Sequence, residues 1–193
     1  MTTDTLERRA KFTRMDQGTE QDWQIIAKHN GEEAAGLADR VLNHLKLLGD
    51  DTGGFAVTRL EHSLQTATLA HNAGKDEEYI VCALLHDIGD TLGSYNHADV
   101  AAVILKPFIS EENHWIVAHH GIFQGYYFFH YLGLDRNMRD EFKDHPFYAA
   151  CAEFCRLDQA AFDPDFTSMP IEAFEPMVRR VFARPKASIY QAS

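Results

Sequence analysis

The chain has 193 residues, of which 45% are hydrophobic and 11% aromatic, enough for one domain with a buried core. Its formal net charge of -11 argues against a nucleic-acid partner, because nucleic-acid phosphates are bound by clustered Lys and Arg. The charged segment 1–12 lacks the apolar stretch of a signal peptide, and no run approaches the roughly 18 apolar residues that span a bilayer. The three cysteines form no CxxC pair and are expected to be buried and reduced, which favours a cytoplasmic protein without membrane partners.

Apolar residues recur at helical spacing along most of the chain. The clearest case is a stripe of four residues, at Leu37, Val41, Leu45 and Leu48. The segments expected to be helical are, in chain order, one that opens around Trp23, then 34–48, 58–73, 76–87, 97–105, 110–120, 137–143, 146–159 and 171–182. No alternating β pattern persists beyond four residues, and no linker divides the chain. The sequence therefore predicts an all-α fold in a single domain over 1–193.

The most informative segment is 83–89, Ala-Leu-Leu-His-Asp-Ile-Gly, an apolar run that ends in two metal-type ligands. Burying His86 and Asp87 without partners would cost several kcal/mol, a cost that a divalent cation offsets. Neighbours on a helix point about 100° apart, so both side chains reach one ion only near a helix end. Gly89 provides such an end. Taken alone, the pair is also compatible with a solvated helix terminus.

Other potential ligands surround this pair in the sequence. His62 lies one element upstream, His97 begins a helix downstream, and His119 and His120 end another. Asp158 closes a helix whose apolar residues suggest that its end is buried. Imidazole and carboxylate together suit a borderline divalent ion. A set of six would serve two ions, with Asp87 bridging them: His62, His86, Asp87, His97, His120 and Asp158.

The order of one His, a His-Asp pair and a distant Asp resembles the HD-domain superfamily of metal-dependent phosphohydrolases. Two further histidines between the pair and the last Asp are typical of its dinuclear branches. Segments 54–67 and 83–89 are similar to the HD-domain oxygenases, which include myo-inositol oxygenase and enzymes that oxidatively cleave hydroxylated organophosphonates. The resemblance implies a helical bundle with a metal-binding core at about 52–158, on which helices 20–48 and 171–182 pack.

The resemblance also implies the ligands of each metal. One iron would be held by four residues, His62, His86, Asp87 and Asp158. Asp87 would bridge to a second iron held by His97 and His120, giving an Fe2+/Fe3+ pair. His120 is preferred to His119 because segment 120–126 aligns with the block after the family's fourth histidine. O2 would be the co-substrate, and a small hydroxylated molecule would be oxidised at its carbinol carbon before a C–C or C–P bond breaks.

Two departures from the family bear on the substrate. Gln124 stands where aminophosphonate-cleaving members have a lysine, and Phe55 stands where they have a glutamate that recognises the amine. We expect Phe55 and the aromatic run 123–131, with Tyr126, to hold a methylated ammonium by cation–π attraction, as in a 1-hydroxy-2-(methylated ammonio)ethylphosphonate. Core packing or a homo-oligomer interface is the alternative for that run. Gln65 is expected to form hydrogen bonds within the site, although a surface glutamine is the alternative.

The rival function is a phosphohydrolase of the same superfamily that acts on a nucleotide or phosphomonoester. There a metal would activate water and polarise the phosphoryl group. His97 and His120 argue against it, because a mononuclear hydrolase needs neither. Few Lys or Arg residues stand near the ligands in the sequence, which also fits a polyphosphate substrate poorly.

Overall fold

The computed structural model describes residues 9–188, and all regular secondary structure in this range is helical. The α-helices of that part are α1 (Glu20–Ala35), α2 (Leu37–Leu45), α3 (Arg59–Asn72), α4 (Glu77–Leu85), α5 (His97–Leu105), α6 (Glu111–Phe128), α7 (Tyr148–Asp158) and α8 (Ile171–Phe182). No strand occurs in the described range, so the all-α prediction is confirmed. No helix there has the length and apolar character needed to cross a membrane. Most of the charged segment 1–12 lies outside the described residues.

The chain divides into two compact units, residues 1–40 and residues 41–193. The first is built on α1, where Thr19 accepts a hydrogen bond from the backbone N–H of Asp22 and the Asp22 carboxylate accepts one from the backbone N–H of Thr19. Phe12 packs on Trp23, and α1 buries none of its own residues. That the N-terminal helices pack on the metal-binding core stays a prediction.

The single helix expected over 34–48 is interrupted in the structure. α1 ends at Ala35, α2 begins at Leu37, and a 3-10 helix follows at Lys46–Asp50. Gly36 separates α1 from α2, since glycine is the least favourable residue in a helix interior after proline. The segment 137–143 also forms a 3-10 helix, Met138–Phe142, rather than an α-helix.

The second unit is organised around α4, in which every residue from Tyr79 to Leu85 is buried. Helices α3, α6 and α8 pack on α4, and α6 also packs on α5 and α7. The largest buried side chains include Phe123, Phe154 and Phe174. Burial of a side chain of this size contributes about 1.5–3 kcal/mol. A rigid hydrophobic support therefore holds the end of α4, where His86 and Asp87 follow.

A close backbone approach brings α5 next to the end of α4. A Cβ atom added to Gly89 would lie 2.3 Å from the carbonyl oxygen of His97, so only glycine permits this contact. His97 is the first residue of α5. The sequence of this turn therefore places His97 beside Asp87.

Candidate metal centre

Four imidazole rings converge on one buried region of the second unit, those of His62, His86, His97 and His120. Three of them donate a hydrogen bond from Nδ1 to a backbone carbonyl oxygen over 2.7–2.9 Å, with Ala161, Ala83 and Val117 as the respective partners of His62, His86 and His120. His97 instead has its Nδ1 3.3 Å from a carboxylate oxygen of Asp90. A ring that donates from Nδ1 has its lone pair on Nε2, so each ring offers a metal-ligating nitrogen.

Asp87 lies between two pairs of these rings. Its Oδ2 is 3.5 Å from Nε2 of His62 and 3.4 Å from Nε2 of His86. Its Oδ1 is 3.3 Å from Nε2 of His97 and 3.2 Å from Nε2 of His120. Within each pair the two Nε2 atoms are 3.2 Å apart. Each carboxylate oxygen of Asp87 therefore faces its own pair of imidazole nitrogens.

Asp158, the last residue of α7, joins the first pair. Its Oδ1 lies 3.0 Å from Nε2 of His62 and 3.5 Å from Nε2 of His86. Its Oδ2 is buried and has no hydrogen-bond partner among the described residues. The carboxylate is only 2% exposed. A buried anion with an unpaired oxygen is costly without a cation, and a metal ion would remove that cost.

The pKa values of three buried groups of the cluster, His86, Asp87 and Asp158, are displaced from their usual range. Burial opposes ionisation of Asp87 and Asp158 and is the largest single influence on each. At Asp87 the combined effect of His86, His120 and Arg59 outweighs burial, and at Asp158 that of His86 and His62, so the pKa of both carboxyl groups lies below its usual range. Burial also opposes a charge on His86, yet Asp87 and Asp158 hold the pKa of that imidazole well above its usual value. The carboxylates thus require positive charge beside them, which protons or metal ions supply.

The donor atoms fit metal ions. Three overlapping groups have ligand atoms within 4.8 Å of one another: His62, His86 and Asp158; His86, Asp87 and His120; Asp87, Asp90 and His97. Imidazole nitrogens with carboxylate oxygens suit borderline divalent ions of the first transition row. The groups overlap at His86 and Asp87, so the arrangement offers adjacent positions rather than one isolated site.

His119 lies outside this cluster, although it neighbours His120 in the sequence. Its Nδ1 donates to the carbonyl oxygen of Trp115 over 2.8 Å, and its ring stacks on that indole at 4.1 Å. Consecutive residues of α6 point in different directions, which separates the two rings. The structure brings together all six residues that the sequence analysis proposed as ligands and leaves His119 among aromatic side chains.

Two residues of the site escaped the sequence analysis, Arg59 and Asp90. The Arg59 guanidinium donates from Nη2 to Asp87 over 2.9 Å and from Nε to Asp90 over 2.5 Å. Burial lowers the pKa of Arg59, but Asp87 and Asp90 outweigh burial and hold it above its usual value. A carboxylate oxygen of Asp90 in turn lies 3.3 Å from Nδ1 of His97. One arginine therefore stands beside the ligands, where the sequence analysis expected few basic residues and named none.

A cavity of about 910 Å³ opens onto the cluster. Phe55 and Gln124 line it, as expected, and the Oε1 atom of Gln124 is buried without a hydrogen-bond partner in the described structure. The remaining aromatic lining comes from Tyr127, Phe128 and Phe162. The cavity thus combines metal-type ligands, an amide side chain and an aromatic wall.

Tyr126 is not part of this lining, so the structure places its ring away from the cavity in which the sequence analysis expected a substrate contact. The guanidinium carbons of Arg136 and Arg139 lie 4.2 Å and 3.7 Å from the centre of the Tyr126 ring. Tyr127, one residue further along α6, faces the cavity instead. The difference is one of helical phase, since consecutive residues point about 100° apart.

Gln65 also stays outside the cavity and acts on the backbone. Its Nε2 donates to the carbonyl oxygen of Asp163 over 2.7 Å, and its Oε1 accepts from the N–H of Asp163 over 3.2 Å. The same segment supplies Ala161, which accepts from His62, and Phe162, whose ring stacks on the His62 imidazole at 4.1 Å. Gln65 therefore supports the segment that orients His62.

Comparison with known proteins gives a consistent result. Residues 59–161 match the family model described as HD domain. The chain is 31% identical over 159 residues to a 1-hydroxy-2-(trimethylamino)ethylphosphonate dioxygenase (glycine-betaine-forming) from Leisingera caerulea, a match covering 66% of this chain and 81% of that protein. It is 33% identical over 98 residues to a hydroxymethylphosphonate dioxygenase from Gimesia maris, covering 45% of this chain and 47% of that protein. Both names support an oxygenase.

Proposed function

The chain belongs to the HD domain family, and from that premise we propose that it is an O2-dependent oxygenase with an Fe2+/Fe3+ pair. The substrate would be a small hydroxylated molecule, a 1-hydroxyphosphonate that carries a methylated ammonium. The observation that carries this proposal is the position of Asp87, whose two oxygens each face a separate pair of imidazole nitrogens. A bridging carboxylate suits two metals rather than one.

Six side chains would hold the metals. One iron would be bound by His62, His86 and Asp158, the other by His97 and His120, with Asp87 shared. When bound, the irons supply the redox chemistry that activates O2 and oxidises the carbinol carbon. In His62, His86 and His120 the hydrogen bond from Nδ1 to a backbone carbonyl oxygen orients the ring so that Nε2 faces the cluster.

The cavity residues support a substrate with polar and methylated ends. Gln124 lines the cavity, and an amide turned towards the ligand can accept from a substrate hydroxyl or donate to an oxyanion. The aromatic wall favours a methylated ammonium, since each cation–π contact contributes roughly 0.5–2 kcal/mol. The trimethylamino group in the name of the Leisingera relative agrees with this choice.

O2 uptake with a matched set of substrates tests the proposal. We expect 1-hydroxyphosphonates to be consumed with O2, and kcat/KM to rise by about tenfold from a primary to a trimethylated ammonium if two rings contribute. Equal kcat/KM across the set would remove the aromatic selection. Release of phosphate from a phosphomonoester without O2 uptake would replace the oxygenase by the phosphohydrolase.

Two adjacent tyrosines provide a matched pair of variants for the same assay. Tyr127→Leu removes a ring that lines the cavity and should reduce the preference for the methylated substrate. Tyr126→Leu removes a ring that lies under two guanidinium groups, away from the lining, and should keep the wild-type preference. Loss of the preference in Tyr126→Leu alone would contradict the assignment of the wall.

A further inference from the structure

The charged residues that line the cavity are unevenly distributed. Its carboxylates are Asp51, Asp87, Asp90 and Asp158. Within the described lining, Arg59 is the only Lys or Arg. Its side chain is 17% exposed, so the guanidinium is largely enclosed but still reaches open space. An anionic ligand that enters this cavity therefore meets one fixed organic cation besides any bound metal.

The guanidinium is held rigidly by two of its three nitrogens. Nε donates to Asp90, and Nη2 donates to Asp87 and is paired with Asp90 as well. The guanidinium carbon also lies 5.3 Å from the centre of the Phe55 ring, in the cavity lining. These contacts fix the plane of the group, and a preorganised guanidinium loses little freedom when it binds an anion.

The third nitrogen, Nη1, is left for a ligand. It donates no hydrogen bond to any residue between 9 and 188, and it is not one of the fully buried atoms of that range. Its N–H groups therefore remain accessible. Gln124, the other polar side chain considered for the substrate, is neutral and cannot replace this charge.

We infer that Arg59 recognises the oxyanion of the substrate, a phosphonate group, through Nη1, while Nε and Nη2 keep holding Asp90 and Asp87. This inference rests on the proposed function and adds the residue that selects an anionic substrate. Arg59 thus has two tasks, because it positions two carboxylates of the metal centre and offers a donor to the ligand.

Binding of methylphosphonate to the metal-loaded protein tests this role without turnover. Titration calorimetry would compare wild type, Arg59→Lys and Arg59→Gln, with iron content measured for each sample. We expect Kd to rise by about 10–100-fold in Arg59→Gln, the effect of losing one charge-assisted hydrogen bond. Arg180→Gln, which removes an exposed ion pair with Glu77, is the matched control and should keep the wild-type Kd.

The positioning task is separated from recognition by Arg59→Lys. An ammonium can keep an ion pair with Asp87 or Asp90 but cannot also donate in the forked geometry. We expect this variant to retain its iron and to bind methylphosphonate about three- to tenfold more weakly. A wild-type Kd in iron-loaded Arg59→Lys and Arg59→Gln, or a loss of binding that only follows the loss of iron, would overturn the inference.

Failure of the inference differs from failure of the proposed function. If Arg59→Gln consumes hydroxyphosphonates with wild-type kcat/KM, the oxygenase stands and recognition by Arg59 falls. If methylphosphonate binding depends on Arg59 but no hydroxyphosphonate is consumed with O2, recognition stands and the oxygenase proposal falls.

Discussion

Replacing His120 by alanine is expected to remove one of two metal positions. Nε2 of His120 lies 3.2 Å from Oδ1 of Asp87 and 3.2 Å from Nε2 of His97, so its loss leaves that side of Asp87 with one imidazole. A metal at 100 times its Kd stabilises the fold by about 2.7 kcal/mol, and each kcal/mol shifts Tm by about 2–4 °C in a domain of this size. Because two metals would contribute this free energy in wild type and one in the variant, a chelator should lower Tm by about 11–22 °C in wild type and by about half as much in the variant.

Thermal melting by circular dichroism, with and without chelator, measures these shifts, and metal analysis of the same samples counts the ions. His119→Ala is the matched control, because it removes the adjacent imidazole, which is hydrogen-bonded to Trp115. The control should keep the wild-type shift and metal content. A His120→Ala variant that retains two metals and the full shift would refute the assignment, and so would metal loss in His119→Ala.

Two further predictions concern residues outside the metal centre. Gln65→Ala should weaken metal binding by about 10–100-fold, because Asp163 and the segment that orients His62 lose their support; an unchanged affinity in metal titrations would contradict this. Burial opposes the charge of Glu78, but hydrogen bonds from Lys186 and Ser110 outweigh it and lower the pKa of Glu78 from 4.5 to about 2. The carboxylate therefore stabilises the fold above pH 4.5, and there the Tm of wild type should be higher than that of Glu78→Gln. This difference in Tm should disappear as the pH falls towards 2. A difference that persists at pH 2 would contradict the ion pair.

Part of the site could be predicted because its signal is local. The apolar run of α4 ends directly in His86 and Asp87, and a buried helix that ends in two ligands needs a cation wherever it lies in the fold. The helical pattern around the pair also predicted the all-α architecture. The exact ends of the helices could not be predicted, since the apolar stripe from Leu37 to Leu48 starts only after Gly36 and continues past the end of α2 into the 3-10 helix Lys46–Asp50.

The remaining contacts depend on how distant segments pack. Arg59 and Asp87 are 28 residues apart, and His62 and Ala161 are 99 residues apart. No local pattern encodes such pairs. The aromatic run of α6 is visible in the sequence, but which ring faces the cavity depends on the phase of the helix, and this phase selects Tyr127 over Tyr126.

The most direct test of the proposed two-iron centre is EPR spectroscopy of the protein purified without chelator, combined with iron analysis. The arrangement around Asp87 predicts close to two irons per chain and, after partial oxidation, the signal of an antiferromagnetically coupled Fe2+/Fe3+ pair. A single tightly bound zinc or magnesium per chain, with no second site and no coupled signal, would contradict it.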